Sequence, residues 1–182
     1  MMTKSRNKTL EMTRLALLIA MNCVSAYLII PLPFSMSPLA LQTLVVNLVA
    51  FLLTPKQAFI TMFAYILIGF IGIPVFTGGT AGPAKLFGPT GGYIWGFLLA
   101  VVLIAYLKGK VYNFRRFAVV GICIGIPVIY LFGAIWLKFL TDMNWETVFL
   151  TGILPFIPLD IVKCLVAVII ARPIYKLFEE KV

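Results

Sequence analysis

The hydrophobic residues of this chain are concentrated in long apolar segments that short polar connections separate. Runs of about 20 residues can cross a bilayer as helices, because a helix rises 1.5 Å per residue and the hydrocarbon is about 30 Å thick. Proline follows several runs, and it ends a helix by removing a backbone donor and clashing with the preceding turn. The pattern predicts an all-α membrane protein, a bundle of six transmembrane helices over residues 10–30, 38–53, 57–71, 89–108, 117–138 and 152–171.

Composition supports a membrane protein. Hydrophobic residues make up 62% of the 182 residues and charged residues only 12%, whereas soluble domains carry about 25% charge. The length suits a single domain over residues 1–182. The formal net charge of +9 would suggest nucleic acid in a soluble protein. Here the basic residues lie mostly in short connections between apolar runs, so we expect them to set topology and expect no nucleic-acid partner.

The distribution of Lys and Arg predicts the orientation of the bundle, because cytoplasmic connections carry the excess of positive charge. Two basic residues, Lys85 and Lys138, fall on one side, and Lys163 lies inside the last span. We therefore expect a multi-pass protein of the cell membrane with both termini cytoplasmic and residues 31–37, 72–88 and 141–151 outside. The other side carries Lys4, Arg6, Lys8, Arg14, Lys56, Lys108, Lys110, Arg115, Arg116, Arg172, Lys176 and Lys181.

A glycine-rich external loop joins the third and fourth predicted helices. Seven of the fourteen glycines fall between residues 72 and 92, and the segment closes with Phe87-Gly88-Pro89-Thr90-Gly91-Gly92-Tyr93. Irregular backbone at membrane depth is tolerated only where protein buries it or where it lines a cavity. The loop is therefore predicted to shape a pocket, with a proline-rich segment near residues 31–38 as a candidate lid.

Asp160 and Lys163 are the two ionisable residues most clearly inside a span. Each costs about 2.5–3.5 kcal/mol to insert at a helix centre, and their i, i+3 spacing makes them neighbours on one helix face. They form either a structural ion pair that neutralises itself or a binding site for a ligand with N–H donors and an acidic group. Gln42, just inside the proline-rich connection, is a further candidate for a ligand contact or for bonding between helices.

Several kinds of chemistry have no counterpart in the sequence. It has no histidine, three cysteines that all lie in apolar runs, no Walker A motif and no nucleophile with a plausible base beside it. We therefore expect no metal, no cofactor and no catalytic residues, and the chain has no visible means of using ATP. In the first helix, Ala16 and Ala20 form a small-xxx-small pattern that lets another helix approach closely.

The motifs resemble the BioY family, the biotin-specific substrate-binding (S) components of energy-coupling-factor (ECF) transporters. The similar segments are Pro31-Leu32-Pro33-Phe34 with Pro38-Leu39-Ala40-Leu41-Gln42-Thr43, then Gly69-Phe70-Ile71-Gly72-Ile73-Pro74-Val75-Phe76, the loop that ends at Tyr93, and Asp160-Ile161-Val162-Lys163. The resemblance covers nearly the whole chain. Leu159 departs from it, since the family is expected to carry glycine before the aspartate.

The resemblance implies a six-helix, high-affinity biotin-binding subunit that captures biotin near the outer face of the membrane. A transmembrane coupling protein and two ATP-binding subunits would then supply motion and energy. Asp160 would accept from a ureido N–H and Lys163 would balance the charge, while Gln42, Tyr93 and the loop residues Gly88, Thr90 and Gly91 would complete the polar contacts. Ala16 and Ala20 would form the docking patch for the coupling protein.

Other functions stay open at this point. The alternative within the transporter class is a self-sufficient small biotin transporter or facilitator that acts without the ATPase module. From other classes, a membrane-embedded enzyme or a scaffold is conceivable. The missing nucleophile–base pair argues against the enzyme, and the intramembrane charges beside a glycine-rich loop argue against the scaffold.

Overall fold

The computed structural model describes residues 2–31, 33 and 38–179, the side chains of 2–7, 176, 178 and 179 excepted. Most of these residues are helical, as the apolar pattern predicts. The helices are α1 (Met2–Ser25), α2 (Gln42–Leu52), α3 (Pro55–Phe70), α4 (Pro83–Leu86), α5 (Gly91–Leu107), α6 (Phe114–Val120), α7 (Ile126–Thr141), α8 (Trp145–Gly152) and α9 (Ile157–Glu179), with two short strands, β1 (Ile29–Ile30) and β2 (Leu39–Ala40).

The helices differ widely in length. A π-helical turn at Gly121–Gly125 joins α6 and α7 into one helix, Phe114–Thr141, which has the length and composition to cross a membrane. Helices α8 and α9 qualify together as a span bent by 44°. Helices α2, α3 and α5 are apolar but hold only 11, 16 and 17 residues. By length and composition, the helices of the described residues provide one span, or two if the bent pair is counted as one. The six-span topology and its orientation therefore stay predictions.

The first two predicted helices have different bounds in the structure. Helix α1 begins at Met2 and ends at Ser25, not at Ile30, because the chain turns and pairs β1 antiparallel with β2. The backbone of residues 29–30 and 39–40 thus finds its hydrogen bonds in a strand pair, and α2 begins at Gln42 instead of residue 38. The predicted lid falls largely on residues 32 and 34–37, which lie outside the described residues.

The last predicted helix is also divided differently. The structure breaks it after α8 and begins α9 at Ile157, with Pro155 in the break. Because proline cannot donate a hydrogen bond to an earlier carbonyl, the helix breaks here and the chain bends between α8 and α9. Helix α9 then runs through Pro173 to Glu179, so the predicted end at residue 171 is wrong. A proline near a helix end costs a hydrogen bond without always ending the helix.

Helix α5 occupies the centre of the bundle and packs against α2, α3 and α7. Its first turns approach α7 closely because they carry glycine: a Cβ at Gly92 would lie 2.3 Å from the Cβ of Trp136. Helix α2 packs against α5 and α9. These contacts gather α2, α5, α7 and α9 around one buried space at the end of the bundle that carries the glycine-rich loop.

The glycine-rich loop is held against the rest of the bundle by backbone hydrogen bonds. The N–H of Gly78 donates to Ala26 O at 2.9 Å, and the N–H of Gly82 donates to Gly69 O at 2.8 Å. Gly78 and Gly82 adopt φ values of 77° and 83°, a region that glycine enters without steric cost. The irregular backbone is thus satisfied within the protein, as the sequence predicts for this loop.

Candidate ligand-binding pocket

A cavity opens between the glycine-rich loop and helices α2, α5, α7 and α9. Its empty space, with the open mouth included, is about 590 Å³. One part of its wall is apolar and is formed by Pro38, Ile94, Phe97, Ile129 and Phe156; the polar and charged part is formed by Gln42, Thr43, Thr77, Lys85, Thr90, Tyr93, Tyr130, Asp160 and Lys163.

Asp160 and Lys163 form the ion pair that their spacing predicts. Lys163 Nζ lies 2.9 Å from Asp160 Oδ1, and each side chain is only 8% exposed. Two hydroxyl groups from other helices also donate to the carboxylate, Thr43 Oγ1 to Oδ1 at 2.8 Å and Tyr130 Oη to Oδ2 at 2.6 Å. A carboxylate offers about four acceptor positions, so three are filled and one remains for a ligand.

The ammonium of Lys163 is more completely occupied than the carboxylate. Besides Asp160, it donates to Ala40 O at 2.6 Å and to Thr43 Oγ1 at 3.3 Å. An ammonium has three donors and no acceptor, so these contacts account for all of them. Lys163 therefore ties α9 to the start of α2 and holds the position of the carboxylate.

Gln42 lines the cavity but is already bonded to protein on both ends of its amide. Its Nε2 donates to the hydroxyl of Tyr65, and its Oε1 accepts from Thr77 Oγ1 at 2.8 Å. Tyr65 in turn donates to Val75 O at 3.0 Å. Gln42 thus ties α2 and α3 to the glycine-rich loop. It bonds other segments of the protein and also lines the cavity, so both roles that the sequence left open fit its position.

Tyr93 and Thr90 line the cavity, as the loop motif predicts. The hydroxyl of Tyr93 donates to Gly152 O at 2.8 Å, and its ring meets that of Tyr130 edge to face at 6.4 Å. Gly133 leaves the space for this ring, since a Cβ there would lie 2.3 Å from Tyr93 Cε1. Tyr93 therefore packs against Tyr130, whose hydroxyl donates to the carboxylate of Asp160.

Gly88 and Gly91 do not line the cavity; they shape the turn that leads into α5. The carbonyl of Gly88 accepts from Trp136 Nε1 at 3.0 Å. A Cβ at Gly91 would lie 1.9 Å from Leu86 O, so only glycine fits there. Their part in the site is to bring Thr90 and Tyr93 to the cavity wall, and direct contact with a ligand stays a prediction.

The pocket residues that were not identified from the sequence include Tyr130, Thr43 and Lys85. Tyr130 lies inside a long apolar helix and carries no pattern that marks it. Thr43 directly follows Gln42 and belongs to the same motif, so its position was a usable signal. Lys85 was visible as one of two basic residues on the predicted external side.

Lys85 lies in the short loop helix α4 and is half-buried at the cavity. Within the described part of the chain, its ammonium has no hydrogen-bond or carboxylate partner. Burial lowers the pKa of Lys85 from its usual value of 10.5, because desolvation penalises the charged form. An unpaired cation in a largely apolar pocket is suited to bind an anionic group of a ligand.

The described residues contain no group of three or more His, Cys, Asp or Glu side chains that could hold a metal ion. The groups that donate to Asp160 are an ammonium and two hydroxyl groups, and the acceptor position that the carboxylate keeps suits an organic ligand with a hydrogen-bond donor.

The apolar helices and the buried charged pocket are those of a small helical membrane protein. A model of the BioY family matches residues 1–180. The chain belongs to the BioY family. The relatives include "Biotin transporter BioY2" of Lactococcus lactis subsp. cremoris, 38% identical over 89% of this chain and 88% of that protein. "Probable biotin transporter BioY" of Pyrococcus horikoshii is 39% identical over 91% of this chain and 96% of that protein.

A solved structure has the same fold. The crystal structure of "the S-component for biotin from an ECF-type ABC transporter" superposes with a TM-score of 0.88 and 31% sequence identity. The match covers 94% of this chain and 93% of that one. The fold of the described residues is therefore that of an ECF S-component, which confirms the family resemblance of the sequence motifs.

The charge pair predicts a specific pattern of stabilities. Lys163→Met leaves the buried carboxylate of Asp160 without its counter-charge and is expected to cost about 3–5 kcal/mol. The double variant Asp160→Asn/Lys163→Met removes both charges and should be more stable than Lys163→Met alone. Unfolding of the ligand-free protein in mixed micelles measures both, with Lys56→Met, at an exposed position, as the matched control. A double variant no more stable than Lys163→Met would show that the two charges do not compensate each other.

Proposed function

We propose that this chain is the biotin-binding S-component of an ECF-type vitamin uptake transporter. The observation that carries the proposal is the buried Asp160–Lys163 pair, which lines a cavity in a member of the BioY family. Biotin combines a ureido group with two N–H donors, an apolar thioether ring and a carboxylate tail. The cavity offers a matching group for each of these parts.

Asp160 is suited to accept a ureido N–H. Its carboxylate keeps one free acceptor position. Oδ1 accepts from two donors, whereas Oδ2 accepts only from Tyr130, so Oδ2 is the more available oxygen. Lys163 has no donor left, so it acts by neutralising and orienting the carboxylate. This refines the expectation from sequence, in which both charged groups were candidates for direct contact.

Lys85 is suited to bind the carboxylate tail. It is a half-buried, unpaired cation on the cavity wall and comes from the loop, whereas Asp160 comes from α9. A ligand with a donor group at one end and an acid at the other can satisfy both. The apolar wall formed by Ile94, Phe97 and Phe156 then encloses the thioether ring.

High affinity is within reach of such a site. Biotin has about sixteen non-hydrogen atoms, so nanomolar binding, near −12.3 kcal/mol, needs roughly −0.8 kcal/mol per atom, below the ceiling of about −1.5 for small ligands. Nearly complete enclosure is required for this. The hydrogen bonds from Thr77 to Gln42 and from Tyr65 to the carbonyl of Val75 hold the loop against the bundle beside the cavity and support such enclosure.

Transport would depend on partners, a transmembrane coupling protein and two ATP-binding subunits. The chain carries no Walker A motif, so energy has to come from elsewhere. Ala16 and Ala20 are both exposed on α1, and small side chains allow a partner helix to approach closely. With both termini cytoplasmic, the pocket would open to the outside of the cell membrane, where biotin is captured.

Calorimetric titration of the detergent-purified chain with biotin, without nucleotide, tests the site. Asp160→Asn should weaken binding about tenfold to a hundredfold, because hydrogen bonds to charged groups contribute roughly 1.5–3 kcal/mol. Lys163→Ala should weaken it comparably by releasing the carboxylate. Dethiobiotin should bind more weakly than biotin, since it lacks the thioether ring.

Asp142→Asn is the matched control for the aspartate: Asp142 is exposed and adopts a φ of 52°, which asparagine also tolerates. Its biotin affinity should equal that of the unmodified protein. Unchanged affinity in both Asp160→Asn and Lys163→Ala would remove the proposed site.

The role of Lys85 predicts a pH dependence. Because only the charged form of Lys85 binds a carboxylate, the contribution of Lys85 is present below its pKa and is lost as pH rises through it, beginning below the usual 10.5. Lys85→Gln should weaken biotin about tenfold near neutral pH and flatten this dependence. Biotin methyl ester, which has no anionic tail, should bind both proteins alike. If Lys85→Gln weakened binding of the ester as much as binding of biotin, Lys85 would not be the partner of the carboxylate tail. Lys138→Gln is the matched control and should leave the affinity for biotin unchanged.

A further inference from the structure

A second cavity lies at the N-terminal end of the long helix Phe114–Thr141, beside residues of α9. It is an open groove with about 1050 Å³ of empty space, solvent-exposed volume included. Its lining combines cationic, aromatic and aliphatic side chains. We call it the basic groove and define it by Tyr112, Asn113, Phe114, Arg115, Ile169 and Arg172.

The two arginines of the basic groove are available for an anion. Arg115 and Arg172 are both exposed, and neither guanidinium has a carboxylate or hydrogen-bond partner among the residues that the structure describes. A guanidinium presents donors in a planar fork that matches phosphate oxygens. By contrast, the neighbouring Arg116 donates its Nε–H to Leu107 O at 2.9 Å and is occupied by the protein.

The floor of the groove continues into an exposed apolar track. Ile169 and Phe114 are 59% and 45% exposed. Val166 and Val162 follow on the same face of α9, at i−3 and i−7 from Ile169, and are 37% and 53% exposed. An apolar stripe of this kind is a liability in water, but in a bilayer it lies against acyl chains.

Cations at one end and an apolar track leading away from them match one kind of ligand, an amphiphile with an anionic head. The basic end belongs to the side of the bundle that carries most of the Lys and Arg residues. Anionic lipids are enriched in the cytoplasmic leaflet, and basic pockets between helices on that side hold their headgroups. The groove therefore fits a lipid better than a soluble anion, which would make no use of the track.

We propose that the basic groove binds the phosphate headgroup of an anionic phospholipid between Arg115 and Arg172, with an acyl chain along Ile169, Val166 and Val162. The site lies apart from the biotin pocket, with which it shares no lining residue. The proposal depends on the membrane setting of the chain and not on the identity of the transported solute.

Native mass spectrometry of the full chain tests the proposal. The chain is released from mixed micelles that contain equal amounts of phosphatidylglycerol and phosphatidylcholine. It should retain about fivefold more phosphatidylglycerol than phosphatidylcholine, or a larger excess. Arg115→Gln and Arg172→Gln should each lower its retention about fivefold, the contribution of one basic residue near an anionic lipid. Lys56→Gln removes one exposed charge on the same predicted side, away from the groove, and should change nothing.

The further arms of this experiment separate a lipid from a free anion and from misfolding. Inorganic phosphate at millimolar concentration should not displace the lipid; displacement would mean that the groove is a phosphate site without the acyl track. Ile169→Ser should lower lipid retention while both arginines are intact. Equal retention of the two lipids, or unchanged retention in arginine variants that melt at the temperature of the unmodified chain, would overturn the proposal.

Discussion

A carboxylate buried in an apolar helical bundle must be compensated by donors from its surroundings, and this constraint organises the molecule around Asp160. Its three donors come from three places in the chain: Lys163 on its own helix, Thr43 on α2 and Tyr130 on α7. Lys163 also holds the carbonyl of Ala40. The cost of the buried charge is therefore met only when α2, α7 and α9 are correctly assembled, so the fold of the bundle and the site form together.

A second requirement concerns the irregular backbone at the same end of the bundle. The segment after α3 cannot leave its N–H groups unpaired where water is scarce, and the carbonyls of Ala26 and Gly69 accept from it. Gln42 and Tyr65 add side-chain bonds to Thr77 and to the carbonyl of Val75. The loop is thereby fixed beside the cavity, and two of the groups that hold it, Gln42 and Thr77, also line the pocket.

The sequence predicted the features that follow from local pattern and failed where distant segments meet. The Asp160–Lys163 pair follows from i, i+3 spacing, and the glycine-rich loop follows from composition. Tyr130 could not be found, because a tyrosine in an apolar helix carries no local mark and its role arises only when α7 packs beside α9. The pairing of Ile29–Ile30 with Leu39–Ala40 was missed, because an apolar run that ends before a proline predicts the end of a helix and not a strand.

An experimental structure of this chain with biotin bound would decide whether the buried charge pair serves the ligand. Biotin should lie between α2, α5, α7 and α9, with a ureido nitrogen within about 2.7–3.2 Å of the Asp160 carboxylate and with the Lys163 and Tyr130 contacts to that carboxylate retained. Biotin bound elsewhere, or Asp160 and Lys163 turned towards lipid without contact to the ligand, would contradict this role.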